Sequence, residues 1–181
     1  MSHPNALAFT ELPIGKLLAK ALLLEGPAGM CIHRAAAFVF DTPGAILVFG
    51  TFNPGDGSNA AESTVPFIHA WAEYRGDVVA PTTLERTGGR LLAIPRAAYY
   101  AMNGARDRHI LTRPHLLRLD REHGLKRALR VNAPCRSGVS FGATLLDAAG
   151  VDWADFSGAP GGVVPADVER AWREANKPLA P

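Results

Sequence analysis

The chain has 181 residues, 48% of them apolar and 20% charged, with a formal net charge of +2. That balance suits one soluble domain able to bury a core without disulfides or metal, and so small a charge argues against a polyanionic partner. No apolar run approaches the roughly 20 residues that a membrane span requires, and the two cysteines, Cys31 and Cys135, lie too far apart to form a metal knuckle.

In chain order, the opening "MSHPNALAFTE" lacks a basic stretch followed by a continuous apolar core. No cleavable signal is expected there, which places the mature protein in a cytoplasm, a self-delivered or phage-carried protein being the exception. A reducing compartment keeps both cysteines as thiols. Residues 12–24 read as an amphipathic helix interrupted by Lys16 and Lys20 and ended by Gly26, and residues 30–38 as a shorter helix that begins at or just before Cys31. Residues 45–52, "AILVFGTF", read as a buried strand and the following "NPGDGSNAAEST" as a turn-rich loop.

Residues 66–85, "PFIHAWAEYRGDVVAPTTLE", form an expected hairpin turning at Arg75-Gly76. A further strand is expected over 90–94, and then a mainly helical second half: helices over 96–102, over 114–130 with a break at Gly124, over 137–149 ended by Gly150, and over 165–175 with Pro165 in its first turn. With no internal repeat, the pattern predicts a single α+β domain over 1–181, its chemistry within 28–83 and a helical remainder over 95–181.

A cysteine becomes a nucleophile when its thiolate is stabilised, and the start of a helix offers partial positive charge and N–H groups that also suit an oxyanion. "PAGMCIHRAAAF" puts Cys31 there, and "FIHAW" supplies His69 as a base on a strand able to pack beside that helix. The bland alternative is a small packing thiol and a structural imidazole. His33 and Arg34 follow closely enough for a cation to assist a thiolate or line a substrate pocket with Trp71, although solvated surface is the ordinary reading of the pair. Trp71 itself reads as core that roofs the imidazole. His109, His115 and His123 lack metal-ligand spacing, and the basic run Arg106, Arg108, Arg113, Arg118, Arg121, Lys126, Arg127 and Arg130 reads as a solvated helix face rather than a nucleic-acid surface.

Taken together, "MCIHRAAAF", "AILVFGTF" and "IHAWAEYRGDVVAPT" resemble the core of the transglutaminase-like, papain-fold cysteine enzymes, especially their short bacterial and phage versions. The resemblance spans about residues 28 to 83. It implies a papain-like core, a helix bearing Cys31 packed on a small antiparallel sheet, and cysteine-dependent acyl transfer on a peptide, protein or peptidoglycan amide, with no cofactor and no membrane partner. Hydrolysis, deamidation and cross-linking all remain open.

Two departures stand out. The family carboxylate falls on Ala80, and the chain has no Gln for a papain-type oxyanion hole. If Arg75-Gly76 is a two-residue turn, Tyr74 faces Asp77, Trp71 faces Ala80 and His69 faces Thr82. Asp77 then lies on the face opposite His69, Glu73 shares the face of His69 but sits about 13 Å along the strand, and Thr82 is the nearest orienter. The expected site is thus a Cys31–His69 dyad in which His69 forms an ion pair with the thiolate. A rival reading uses the same histidine: "APCRSGVSFGATLLDAAGVDW" and "GGVVPADVERAW" are similar to the closing segment of circularly permuted NlpC/P60 enzymes, and that order makes Cys135 the nucleophile. The third reading is an inactive binding module that keeps the fold.

Overall fold

A computed structural model describes residues 10–22, 30–52, 67–79, 91–103, 106–131 and 133–151. Its elements are β1 (Thr10–Leu12), α1 (Lys16–Leu22), α2 (Met30–Asp41), β2 (Ile46–Phe52), β3 (Phe67–Tyr74), β4 (Asp77–Val79), β5 (Leu91–Pro95), α3 (Arg96–Asn103), β6 (Arg106–Thr112), α4 (Arg113–His123), α5 (Leu125–Val131) and α6 (Phe141–Ala148). The strands make one antiparallel sheet in the order β1-β5-β4-β3-β2-β6. Helix and antiparallel sheet combine as an α+β fold.

The helix α2, "MCIHRAAAFVFD", is apolar nearly all round, as a helix must be when other elements cover every side. Ala35, Ala36 and Ala37 are fully buried and share one core with Ala70 and Ala72 of β3. Leu17, Leu18, Leu116, Leu125, Leu129, Phe141 and Leu145 of α1, α4, α5 and α6 close the same core over it. At the far end of α2, Asp41 accepts the N–H groups of Leu17 and Leu18 at 2.8 and 3.0 Å, satisfying orphan donors at the start of α1. Arg113 donates to the Phe40 carbonyl at 3.1 Å and satisfies α2's own C-terminal end.

The other face of the sheet carries a smaller cluster of Val48, Trp71, Val78 and Tyr99, roofed by α3. The two clusters follow from strand alternation. Along β3, Ala70, Ala72 and Tyr74 belong with α2, while Trp71 belongs with α3.

The β3–β4 hairpin has the register expected from its sequence, with Tyr74 opposite Asp77 and Ala72 opposite Val79. Both turn residues have positive φ, 54° at Arg75 and 87° at Gly76, which is the twist a two-residue hairpin needs. Arg75 tolerates it with its guanidinium 5.0 Å from the Tyr74 ring centre. The break at Gly124 is also as expected: φ is 71°, its N–H donates to the Asp120 carbonyl at 2.8 Å, and α4 ends there.

Three expectations are corrected. Leu12 is the last residue of β1 rather than the start of a helix, and α1 begins only at Lys16, after Pro13 and Gly15. The second half is not purely helical, because residues 106–112 form β6, paired with β2 along its length. As an edge strand with the composition "RDRHILT", β6 shows no clean apolar alternation, and its pairing is a tertiary event. The helix expected from residue 137 begins at Phe141, with Ser140 as its N-cap accepting from the Ala143 N–H at 3.3 Å. Residues 53–66, Ala80, Thr82, Gly26 and the expected helix over 165–175 lie outside the described residues.

Candidate active site

Cys31 occupies the first turn of α2, where backbone N–H groups have no partner within the helix. Its sulfur receives the N–H of Ala70 on β3 together with those of Ile32 and Cys31 itself. Strand N–H groups lie in the plane of the sheet. A sulfur bound to one of them therefore lies against the backbone of β3, and the thiol packs with the α2-side core.

His69 belongs to the α3 face, since its ring stacks beside Trp71 with centroids 6.1 Å apart and planes 26° apart. The register sets it opposite Gly50 on β2, and Gly50 in turn opposite Asp107 on β6. Cys31 and His69 are both half-buried. Crowding by protein atoms governs the charge of each. Burial pushes the Cys31 thiol up from its usual value, while the three N–H groups and, more weakly, the Arg34 charge pull it back. Burial likewise pulls the His69 imidazole down to about 4. At neutral pH these shifts favour a thiol and a neutral imidazole rather than the ion pair expected from the sequence, because desolvation opposes both charges.

The remaining expected site residues divide between the two faces. Trp71 is fully buried and packs against His69, Tyr99 and Tyr100. Arg34 contributes charge to Cys31. His33 instead packs on Phe141 of α6, centroids 4.7 Å apart, within the helical layer. Cys135 is 4% exposed in the α2-side core. It sits in a turn, its N–H donating to the Val139 carbonyl at 2.8 Å, ahead of the Ser140 cap rather than at the start of α6. Burial raises its thiol too, and the Thr144 side chain offsets part of that.

Sequence reasoning missed a polar cluster on the α3 face. Glu73 accepts the Trp71 indole N–H at 3.1 Å, the Tyr100 hydroxyl at 2.7 Å and the Arg96 Nε through both carboxylate oxygens at 3.1 and 3.0 Å. Arg96 also lies over the Tyr100 ring, 4.4 Å from its centre. Arg96 and Tyr100 stand four apart on α3, a spacing that puts them on one helical face. That spacing was the available signal, but nothing local says that Glu73 is what they meet. Tyr99, 3% exposed, packs on Trp71 at 5.9 Å, and its phenol is pushed up first by burial and then by the charge on Cys31. Comparison with protein-family models, curated proteins and solved structures finds no match to this chain. Among the described residues, no helix is long and apolar enough to cross a membrane.

Proposed function

We propose that the protein is a cysteine-dependent acyl-transfer enzyme of papain-like type, with Cys31 as nucleophile and His69 as its acid and base. The observation that supports this reading is the set of backbone N–H groups at the Cys31 sulfur, at the start of α2, among them that of Ala70, which follows His69 in the chain. The reaction starts from neutral groups. As the sulfur attacks an amide carbonyl, the thiol proton passes to His69, a C–S bond forms and the carbonyl oxygen takes the negative charge. The N–H groups around the sulfur are suited to hold that oxygen or the developing thiolate. Collapse breaks the C–N bond, His69 returns its proton to the departing amine, and a thioester remains. Water or a second amine then attacks the thioester, giving up its proton through His69, and the thiol is restored. Thr82 remains the proposed orienter of His69.

One observation favours an inactive binding module of the same fold instead: burial opposes both the thiolate and the imidazolium. Acylation by a small activated ester such as p-nitrophenyl acetate, followed by intact mass and peptide mapping, separates the two. The enzyme reading expects acetyl label on Cys31 that is slowed in His69→Ala. Label confined to Cys135 would move the chemistry to the permuted NlpC/P60-like arrangement. A Cys31 that takes no label, or takes it equally fast without His69, would leave the binding module.

A further inference from the structure

Three residues alternate along one face of β3: His69, Trp71 and Glu73. Trp71 stands between the other two. Its ring lies beside the imidazole, and its indole N–H is taken by Glu73 at 3.1 Å. A large flat side chain packed against a smaller one holds that one only as firmly as it is held itself. Trp71 is held on every side: Tyr100 meets it edge-on at 5.7 Å, Tyr99 covers it at 5.9 Å, and Glu73 pins its polar edge. Glu73 is fixed in turn by Arg96 and Tyr100, so the carboxylate clips α3 onto β3 across the indole. With three donors on one carboxylate, the Arg96 Nε–H shared between its two oxygens, and the Glu73 side chain 12% exposed, this is a built cluster even though Arg96 itself is 45% exposed.

We propose that Glu73 is a positioning residue for His69, acting through Trp71: it fixes the indole that walls one side of the imidazole. The inference rests on the Cys31–His69 reading for its importance to catalysis, but not for its test. The titratable and charged groups on the elements packed about β3 include Cys31, His33 and Arg34 of α2, Tyr99, Tyr100 and Arg96 of α3, Asp77 of β4, and Glu73 on its own strand. Asp107 of β6 is in the same row of the sheet, two strands away across Gly50.

Positioning and plain electrostatics make opposite predictions, which decides the experiment. Were Glu73 acting only through its charge, removing it would lower the His69 pKa, and Gln would act like Ala. Acting through Trp71, Glu73→Ala frees the indole, admits water to the imidazole and moves the His69 pKa upward from about 4 toward its ordinary value. Glu73→Gln keeps an acceptor for the indole N–H and should restore most of the wild-type value. Trp71→Phe, which keeps an aromatic wall but removes the N–H that Glu73 holds, should raise the His69 pKa by a similar amount and make a further Glu73→Ala change nearly silent. The readout is NMR titration of the His69 ring in the full-length protein, which requires no activity. A rise of one unit or more in Glu73→Ala or Trp71→Phe, with rescue by Gln, supports the proposal. Equal values in wild type and Trp71→Phe, or a fall common to Ala and Gln, overturns it. Should Glu73→Ala fail to fold, Trp71→Phe and Glu73→Gln still decide. Should Cys31 prove unreactive while the titration behaves as expected, the acyl-transfer reading fails and the positioning of His69 stands.

Discussion

The surroundings of the two cysteines differ in one respect that matters. Both thiols are raised by burial, so desolvation does not distinguish them. Around Cys135 the offset comes from one hydroxyl side chain, in a turn set within the α2-side core. Around Cys31 it comes from three backbone N–H groups and a guanidinium charge, with an imidazole on the neighbouring strand residue. Fixed N–H dipoles need no reorganisation when charge develops, whereas a hydroxyl must turn and a buried apolar wall offers nothing. Reactivity is therefore a matter of which donors surround a buried sulfur more than of how buried it is.

The sharpest way to break that comparison is to remove each sulfur in turn. Cys31→Ala should abolish acetyl-adduct formation. Cys135→Ala should leave it nearly intact and instead cost about 1 kcal/mol in denaturant unfolding, as small core truncations do. A reversal of the two results would show that the core thiol is the reactive one.

The next largest effect is on stability against pH, and its sign follows from His69. Its folded value, about 4, lies below the ordinary 6.5. Above pH 6.5 both folded and unfolded chains carry a neutral ring, and the stability is fully present. As pH falls from 6.5 to about 4 the unfolded chain binds a proton that the native state refuses, so stability declines, and it levels off below. Allowing for the solvent-facing part of the ring, the loss should be about 2 kcal/mol. Urea unfolding at a series of pH values checks it, and His69→Phe should flatten the curve in that window.

His69→Ala should slow acylation of Cys31 by about a hundredfold near neutral pH, the lower end of what a general base contributes. The same substitution should leave the slow alkylation of Cys135 unchanged, which keeps the comparison between the two sites clean. The smallest effect expected is at Arg34, whose charge is the last of the influences on Cys31. Arg34→Met keeps the aliphatic stem and should lower the rate of Cys31 alkylation about threefold, the size of a screened charge at a half-exposed position. Stopped-flow alkylation at two salt concentrations checks it, since the difference should shrink as salt rises.

Much of this was legible before any tertiary structure. The Cys31 helix, the β2 strand, the β3–β4 hairpin with its Tyr74–Asp77 register and the break at Gly124 all follow from local rules: apolar periodicity, a two-residue turn, and a glycine in the left-handed region. That His69, Trp71 and Glu73 share a face follows from strand alternation alone. The sequence by itself thus determined which residues could meet along one element.

Only the tertiary structure decided what they meet across elements. The charged, edge-bound β6 has no pattern of its own and exists because β2 pairs with it. The Ala70 N–H reaches Cys31 because α2 packs on β3, and nothing local in either segment states that pairing. Glu73, whose side chain lies some 13 Å from His69 by strand spacing, is linked to it only because α3 folds back with Arg96 and Tyr100 over Trp71. Burial also disfavours the Cys31 thiolate and the His69 imidazolium expected from the sequence, and burial is a property of the whole packed chain, which no short stretch of sequence encodes.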